Sequence, residues 1–378
     1  MKLRKVLRTE LLIVAGTAIV SLAAAWAAYV ALSGRSASPQ GSQETAWLIQ
    51  EMKPFCVGRF VIDLPASAQV ELSGARIGGL MVSAFIETDH AFQERIVRRE
   101  AQLKSTPDRF GGNHNLESAR EIGSKSGIAG KMFVHGRTVT EGTATNGLDV
   151  ERYRYQSVAV EALVHVKGTS VDLAADDYFP DRISNLPRLV ERITPVAEGG
   201  LPDEPGFCTG RANIADPVTA DQDEEIMMMA RFPSHPDIDI QLVLVAGANP
   251  AAQGLLERSA DSRKRMPISV RWRFSELRAA ARTINGLAGE ELVTRVNEKN
   301  GAEVYGFWWE VSGSRDNVRH PHLMFRMDTG TSSHGPVPSL ISEESALRLW
   351  DRIVSSIRVR HGKSSNNAVA QETFFPPE

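Results

Sequence analysis

Cysteine is scarce in this chain, with two residues among 378. So low a count excludes a multi-bridge disulfide scaffold and a cysteine-rich zinc site, and it allows one disulfide at most. Hydrophobic residues make up 42% and charged residues 24% of the sequence, which are the proportions of a globular protein rather than a disordered one. The length predicts two domains rather than one.

Beyond the N-terminus, negatively charged residues outnumber positively charged ones. Residues 1–10 hold four cations and one anion, although the whole chain has a formal net charge of −3. The remaining chain is therefore acidic. Nucleic-acid binding needs clustered Lys and Arg to displace counterions, and so does broad docking on anionic lipid. We therefore expect no nucleic-acid partner.

Catalytic motifs are missing as well. The sequence contains neither Gly-x-Ser-x-Gly nor His-Glu-x-x-His, which excludes the usual nucleophile elbow and zinc-protease helix. A phosphate-loop resemblance from Gly123 fails, because Lys125 replaces a required Gly and Met132 replaces the Ser or Thr that holds magnesium. We predict no enzyme activity, no cofactor and no metal ion. The alternative is an enzyme that binds a metal through His320 and His322 on one strand face.

One long apolar run is present, over residues 11–32, and it carries no charge. As a helix it would be about 33 Å long, enough to cross a bilayer core of roughly 30 Å. The basic residues before it would stay in the cytoplasm. We therefore predict a single-pass inner-membrane signal anchor with the bulk of the chain in the periplasm. A cleaved signal peptide ending near residues 36–38 is the alternative.

The chain repeats itself. "FCVGR" at Phe55 recurs as "FCTGR" at Phe207. Four further segments recur in the same order: an Ala-Gly segment, an aromatic strand, a second strand and a closing amphipathic helix. The closing helix of the second half has Ser342 as a candidate cap, and the run from His90 spaces Phe92, Ile96 and Leu103 as a helical stripe.

This duplication predicts an α+β fold class. An N-terminal transmembrane helix would be followed by two similar tandem domains, each a mainly antiparallel sheet packed by two helices. The predicted boundaries are a cytoplasmic basic segment at 1–10, the signal anchor at 11–32, a linker at 33–53, the first domain at 54–196, a linker at 197–206, the second domain at 207–360 and a disordered tail at 361–378.

Two groups of residues are candidates for binding a partner. The acidic cluster comprises Asp221, Asp223, Glu224 and Glu225, and it would otherwise be a solvated loop. The adjacent Trp308 and Trp309 must point to opposite faces of a strand, so one ring packs in the core. The other either lies under a helix or binds a partner, since exposed Trp is favoured at interfaces. We select Trp308.

The repeated Cys-x-Gly-Arg segments leave two questions open. Cys56 and Cys208 could form a disulfide if the two segments meet, or each could be a buried free thiol. Arg59 and Arg211 are expected to pair with Asp63 and Asp216 respectively, each within its own half.

The paired "FCVGRFVIDLP" and "GFCTGR" openings, with the interior Ala-Gly and strand segments and the terminal helix, resemble the two-domain immunity proteins that neutralise type VI secretion phospholipase effectors. The resemblance covers about residues 50–360. It implies that the partner is a cognate phospholipase effector. The two domains would hold this effector like a clamp in the periplasm and cover its lid or active-site entrance. The alternative function is a membrane-anchored periplasmic adaptor or structural ectodomain of an envelope complex.

Overall fold

The computed structural model describes residues 51–124, 127–146, 149–216, 222–315 and 317–361. The predicted basic segment, anchor and most of the first linker lie outside these ranges, as do Asp221 and nearly all of the predicted tail. Within the described residues, no helix combines the length and apolar character needed to cross a membrane. The prediction of a transmembrane helix and of a single-pass inner-membrane localisation is corrected accordingly, because the described structure gives no support for either. It rested on an apolar run, and that pattern is not specific to a spanning helix.

The described chain is mostly strand. The helices are α1 (Asp89–Ser105), α2 (Asn185–Val190), α3 (Leu255–Arg265), α4 (Ile268–Arg271) and α5 (Glu343–Val354), with one turn of 3-10 helix at Pro180–Arg182. The strands are β1 (Met52–Val57), β2 (Phe60–Pro65), β3 (Gln69–Ile77), β4 (Leu80–Ile86), β5 (Leu116–Gly123), β6 (Ala129–Asn146), β7 (Asp149–Val166), β8 (Thr169–Tyr178), β9 (Ile193–Pro195), β10 (Gly206–Cys208), β11 (Ala212–Ala215), β12 (Glu224–Phe232), β13 (His235–Ala246), β14 (Phe274–Ile284), β15 (Leu287–Asn297), β16 (Glu303–Val311), β17 (His322–Asp328) and β18 (Arg358–Val359).

One antiparallel sheet dominates the fold. It has 12 strands in the order β14-β15-β16-β17-β13-β12-β3-β4-β8-β7-β6-β5. Strands β3 and β12 belong to different halves of the sequence and pair directly. The expectation of two separate sheets, each within its own domain, was therefore wrong. Alternation of apolar residues marks each strand but does not specify which strand it pairs with.

The main hydrophobic core lies on one face of this sheet, which we call the inner face. Strands of both halves contribute to it, together with the small sheets β1-β2-β18 and β9-β11-β10, and with α2 and α5. Trp350 of α5 stacks on Phe325 at 5.0 Å between ring centroids. Ser342 caps α5 by accepting from the Ser345 N–H at 3.3 Å, which confirms the predicted cap.

The opposite, outer face carries α1 and α3. Phe92, Ile96 and Leu103 of α1 are buried against Phe133 and Leu163 of the sheet, and this confirms the predicted helical stripe. The spacing of these residues turns one side of α1 toward the sheet and leaves the other in solvent. Helix α1 therefore stands on the outer face over the first half, as α3 does over the second.

The two repeated segments meet at the junction of the halves. Cys56 and Cys208 form a disulfide with a Cα–Cα distance of 6.0 Å, which settles the choice left open by the sequence. Gly58 and Cys208 also exchange two backbone hydrogen bonds of 2.9 Å. Gly58 has a φ of +56°, and a Cβ there would lie 3.1 Å from Ile226. The junction therefore favours glycine at this position on two grounds.

Arg59 makes a buried ion-pair cluster beside the disulfide. Its Nε and Nη2 atoms donate to the two carboxylate oxygens of Glu224 at 2.7 and 2.8 Å, and its Nη1 donates to Asp216 at 2.7 Å. The predicted pairing with Asp63 was wrong, since Asp63 pairs with Arg358. Burial raises the pKa of Glu224 and the hydrogen bonds from Arg59 oppose this shift.

The pairing expected for Arg211 was also wrong, because its guanidinium contacts Glu198 at 3.0 Å. Matching motifs thus take different partners in the two halves. Glu224 begins β12, the strand of the second half that pairs with β3 of the first. The Arg59 cluster therefore ties the first half to the second rather than stabilising each half alone.

Removing the Arg59 side chain should destabilise the fold strongly. In Arg59→Ala, Glu224 stays buried beside Asp216 without its cation, and loss of one partner of a buried pair costs about 3–5 kcal/mol. The free energy of unfolding measured in urea should fall by that amount. Arg358→Ala is the matched control, because its pair with Asp63 has side-chain exposures of 42% and 31% and should be worth less than about 1 kcal/mol. Equal losses in the two variants would contradict the assignment.

The disulfide should contribute independently. Loss of a bridge that closes a loop of 152 residues should lower the free energy of unfolding by roughly 2–5 kcal/mol. The urea midpoint of the oxidised chain should therefore fall on adding a reductant, whereas the Cys56→Ala/Cys208→Ala variant should not respond to it. A wild-type midpoint that is insensitive to reductant would disprove a stabilising bridge.

Candidate functional site

The middle of the outer face is accessible between α1 and α3. Directly opposite residues of an antiparallel pair share a face, so the strand registers place three cross-strand rows there. Every member of these rows is half-exposed or exposed. The rows, which we call the groove floor, are Glu71, Met229, Gln241, Arg326 and Trp308; then Ser73, Met227, Val243 and Met324; then Arg76, Glu225, Val245 and His322.

The centre of the groove floor is apolar for a reason visible in β12. Ile226 and Met228 point into the inner core, while Met227 and Met229 alternate with them onto the outer face. A sheet with one solvated face normally carries polar residues at such positions. Methionine is flexible and polarisable, and it adapts to the shape of what it contacts. The floor therefore offers an adaptable apolar centre with charged residues at its ends.

One wall of the groove is α1, and ion pairs fix it to the sheet. Arg95 donates to Asp172 at 2.8 Å, and Arg99 pairs with Glu161, which also contacts His135 at 2.9 Å. Burial opposes ionisation of Glu161, but the hydrogen bonds from His135 and Arg99 outweigh it and lower the pKa to about 2. Glu161 therefore stays ionised at neutral pH and keeps α1 in place.

Helix α3 forms the other wall. Arg258 donates to Glu310 at 2.6 Å, and the backbone N–H of Leu256 donates to Glu290 at 3.0 Å. His322 lies 3.2 Å from Glu310. Burial opposes ionisation of Glu310, yet hydrogen bonds from His322 and Arg258 lower its pKa. The wall is thus held by charged groups that reach the edge of the groove floor.

The strand order sets the width of the groove. Helix α3 contacts β16 through Glu310, and α1 contacts β8 through Asp172. Five strands, β17, β13, β12, β3 and β4, lie between β16 and β8 in the sheet. The walls are therefore several strand spacings of about 4.8 Å apart.

The structure places the predicted partner-binding residues in different environments, and only some of them lie on the groove floor. Asp221 lies outside the described residues, and the backbone oxygen of Asp223 accepts from Gly78 at 2.8 Å. Glu224 is 5% exposed and faces the inner side with Arg59. Glu225 is exposed on the groove floor, and Trp308 lies there beneath Arg326, 5.8 Å from guanidinium to ring centroid. Their contact with a partner stays a prediction.

The methionines of the groove floor were missed by sequence reasoning. Met227, Met229 and Met324 lie in runs where apolar residues occupy both faces. Such a run does not reveal which side chains face the core. The sequence does contain an indication of outward-facing methionine, because three consecutive methionines occur at 227–229 and neighbouring side chains of a strand point to opposite faces. Only the strand register separates Met228, which is fully buried, from its two neighbours.

A Ser-His-Asp constellation also went unnoticed, on the outer face near α1. His165 Nδ1 lies 2.9 Å from Ser170 Oγ, and His165 Nε2 lies 2.7 Å from Asp89. The two ring nitrogens are exchanged relative to a serine-hydrolase triad, in which Nε2 faces the serine. Ser170 is fully buried and its hydroxyl donates to Glu87. The hydroxyl is not accessible to a substrate, so the constellation holds α1 on the sheet.

The histidines proposed for a metal are not brought together on one strand. His320 precedes β17, and His322 opens it and contacts Glu310. Across the described part of the chain, no cluster of three or more His, Cys, Asp or Glu side chains could hold a metal ion.

Comparison with known proteins gives matches in both halves. Residues 53–163 match the family profile of the Tle cognate immunity protein 4 N-terminal domain, and residues 200–362 match that of the C-terminal domain. No curated protein matches the chain.

Solved structures share the fold. The immunity protein TplEi of the type VI secretion system from Pseudomonas aeruginosa, in complex with an "L" peptide, is 24% identical with a TM-score of 0.65, covering 82% of this chain and 99% of that one. Its apo structure has 24% identity, a TM-score of 0.66 and coverages of 82% and 97%. The same four values hold for the Tle4–Tli4 complex.

The two family profiles describe successive domains of one protein family and match this chain in the same order. Together they span most of the described residues, including β3 and β12, the strands that join the halves. The chain therefore belongs to the Tle cognate immunity protein 4 family.

Proposed function

We propose that the chain neutralises a cognate type VI secretion phospholipase effector by binding it in the groove between α1 and α3. The bound chain covers the lid or the active-site entrance of the lipase, in the manner of a clamp. The observation that carries this proposal is the apolar centre of the groove floor, which lies between two walls fixed by ion pairs. Membership of an immunity-protein family supports it, as does the similar fold of Tli4 in a complex with Tle4.

Inhibition of this kind requires surface complementarity rather than catalytic residues. Binding energy at protein interfaces concentrates in a central desolvated cluster, and the groove floor has such a centre in Met227, Val243 and Met324. The walls are held in position before binding, so little ordering cost accompanies association. Family membership indicates a non-enzymatic role, and we propose that the chain acts by binding alone.

The disulfide supports a compartment for this encounter. Bridges such as Cys56–Cys208 persist in oxidising environments and are rare in the reducing cytosol. We therefore propose that neutralisation takes place in an oxidising compartment such as the bacterial periplasm.

Charging the centre of the groove floor should abolish inhibition. Met227→Glu/Met324→Glu buries two carboxylates at the interface without partners, so the Kd for the cognate phospholipase should rise by roughly 100-fold or more. The measurement is phospholipase activity titrated with the purified chain. Wild type should inhibit at a 1:1 ratio and the variant should not.

Val150→Glu serves as the matched control, because Val150 is 65% exposed on β7, remote from the groove floor. It should inhibit like wild type. Circular dichroism spectra of all three proteins should agree, which checks that the doubly charged variant still folds. Full inhibition by the doubly charged variant would disprove the groove as the binding site.

A further inference from the structure

A second surface, next to α4, exposes apolar side chains to solvent. Trp272 is 83% and Ile268 is 69% exposed. They are four residues apart, at the two ends of one helical turn, and therefore share a side of it. Large apolar side chains exposed side by side mark interaction sites more often than isolated ones do.

Cations surround these two side chains. Residues 261–276 contain five cations and two carboxylates. Glu276 is paired with Arg263 and Asp261 with Lys264, both at 3.0 Å. Arg271 instead donates to the backbone oxygens of Lys264 and Met266, and it forms no ion pair with a carboxylate among the residues that the structure describes. We call this surface the α4 patch: Ile268, Trp272, Arg263, Lys264, Arg265, Arg271 and Arg273.

A cavity of about 380 Å³ adjoins the α4 patch, between α3 and the edge of the sheet. Leu256, Ala260 and Leu292 give it apolar walls. Lys264 and Arg271 line it with positive charge, and the ion pair of Arg263 with Glu276 also lies on its lining. A cationic rim around an apolar interior suits a ligand that carries an anionic group next to an apolar one.

We propose that the α4 patch docks on the surface of an anionic phospholipid bilayer. Ile268 and Trp272 enter the interfacial layer, and the surrounding cations contact headgroup phosphates. This docking goes beyond binding of the effector, and it uses a surface distinct from the groove floor. It would hold the chain at the substrate of a phospholipase.

The composition of the patch favours lipid over another protein. Trp lies preferentially at membrane–water interfaces, where its ring is in the apolar layer and its N–H reaches water. Lys and Arg next to an anionic leaflet add attraction that falls off within a Debye length. The patch is also convex at Trp272, since that side chain is almost fully exposed, and a convex apolar residue inserts into a lipid layer without a matching pocket.

Vesicle binding of the full chain tests the proposal. Flotation is measured with vesicles of phosphatidylcholine alone and of phosphatidylcholine mixed with phosphatidylglycerol. Ile268→Ala/Trp272→Ala removes the apolar pair, and Lys264→Ala/Arg265→Ala removes two exposed cations. Each variant should weaken binding to the mixed vesicles by roughly 10-fold or more. Phe110→Ala is the matched control, because Phe110 is also 83% exposed and lies beside Arg109, and it should bind as wild type does.

A local readout separates the patch from any other part of the chain that binds lipid. Vesicles with brominated acyl chains should quench wild-type tryptophan fluorescence more than that of Trp272→Phe, because Trp272 lies in the lipid layer. Equal quenching in the two proteins would overturn the proposal, as would vesicle binding unchanged in both patch variants.

Inhibition assays distinguish this proposal from the groove. With a water-soluble substrate, the patch variants should inhibit the phospholipase as wild type does. The groove variant Met227→Glu/Met324→Glu should bind vesicles normally. Loss of inhibition in the patch variants would instead assign the α4 patch to the effector interface and overturn the lipid proposal.

Discussion

The pairing of β3 with β12 is the interaction on which the rest of the structure depends. Its seven residue pairs join strands from opposite halves, and they convert two sheets into one continuous outer face. The disulfide and the Arg59 cluster lie at the same junction and fix its geometry. Without this pairing, α1 and α3 would belong to separate bodies, and the groove between them would have neither a floor nor a defined width.

Fixing the two walls matters because the groove is proposed to bind its partner by shape. Each wall is held by a largely buried carboxylate, Glu161 under α1 and Glu310 under α3, with partners on the helix and on a neighbouring strand. Buried pairs of this kind add little net stability, since desolvation offsets their attraction. Their contribution is to fix the position of each helix on the sheet, because a helix displaced along the sheet would leave a charge unpaired. A positioned groove loses less entropy on association than a mobile one.

Local features of this fold were predictable from sequence, whereas long-range partners were not. Phe92, Ile96 and Leu103 on α1 and the Ser342 cap follow from spacing and residue type within one helix. Arg59 occupies a repeated motif, yet its carboxylate partners lie 157 and 165 residues away. For Trp308 and Trp309, the alternation of side chains along a strand was the only feature of the sequence that placed the two rings on opposite faces. The methionines of β12 needed the register, since apolar residues on both faces carry no periodic signal.

Net charge was the least informative property of the sequence. The chain is acidic overall, with a formal charge of −3, and that value argues against docking on anionic lipid. Charge acts locally, however, because screening limits its reach to about 8–10 Å. Helix α3 illustrates the point: Arg258 near its start is neutralised by Glu310 in the groove wall, while its last turn holds Arg263, Lys264 and Arg265. One helix thus forms part of the proposed effector-binding groove at one end and of a cationic surface at the other. Because both surfaces share this element, an effector bound in the groove as proposed would lie at a fixed position relative to whatever the α4 patch contacts.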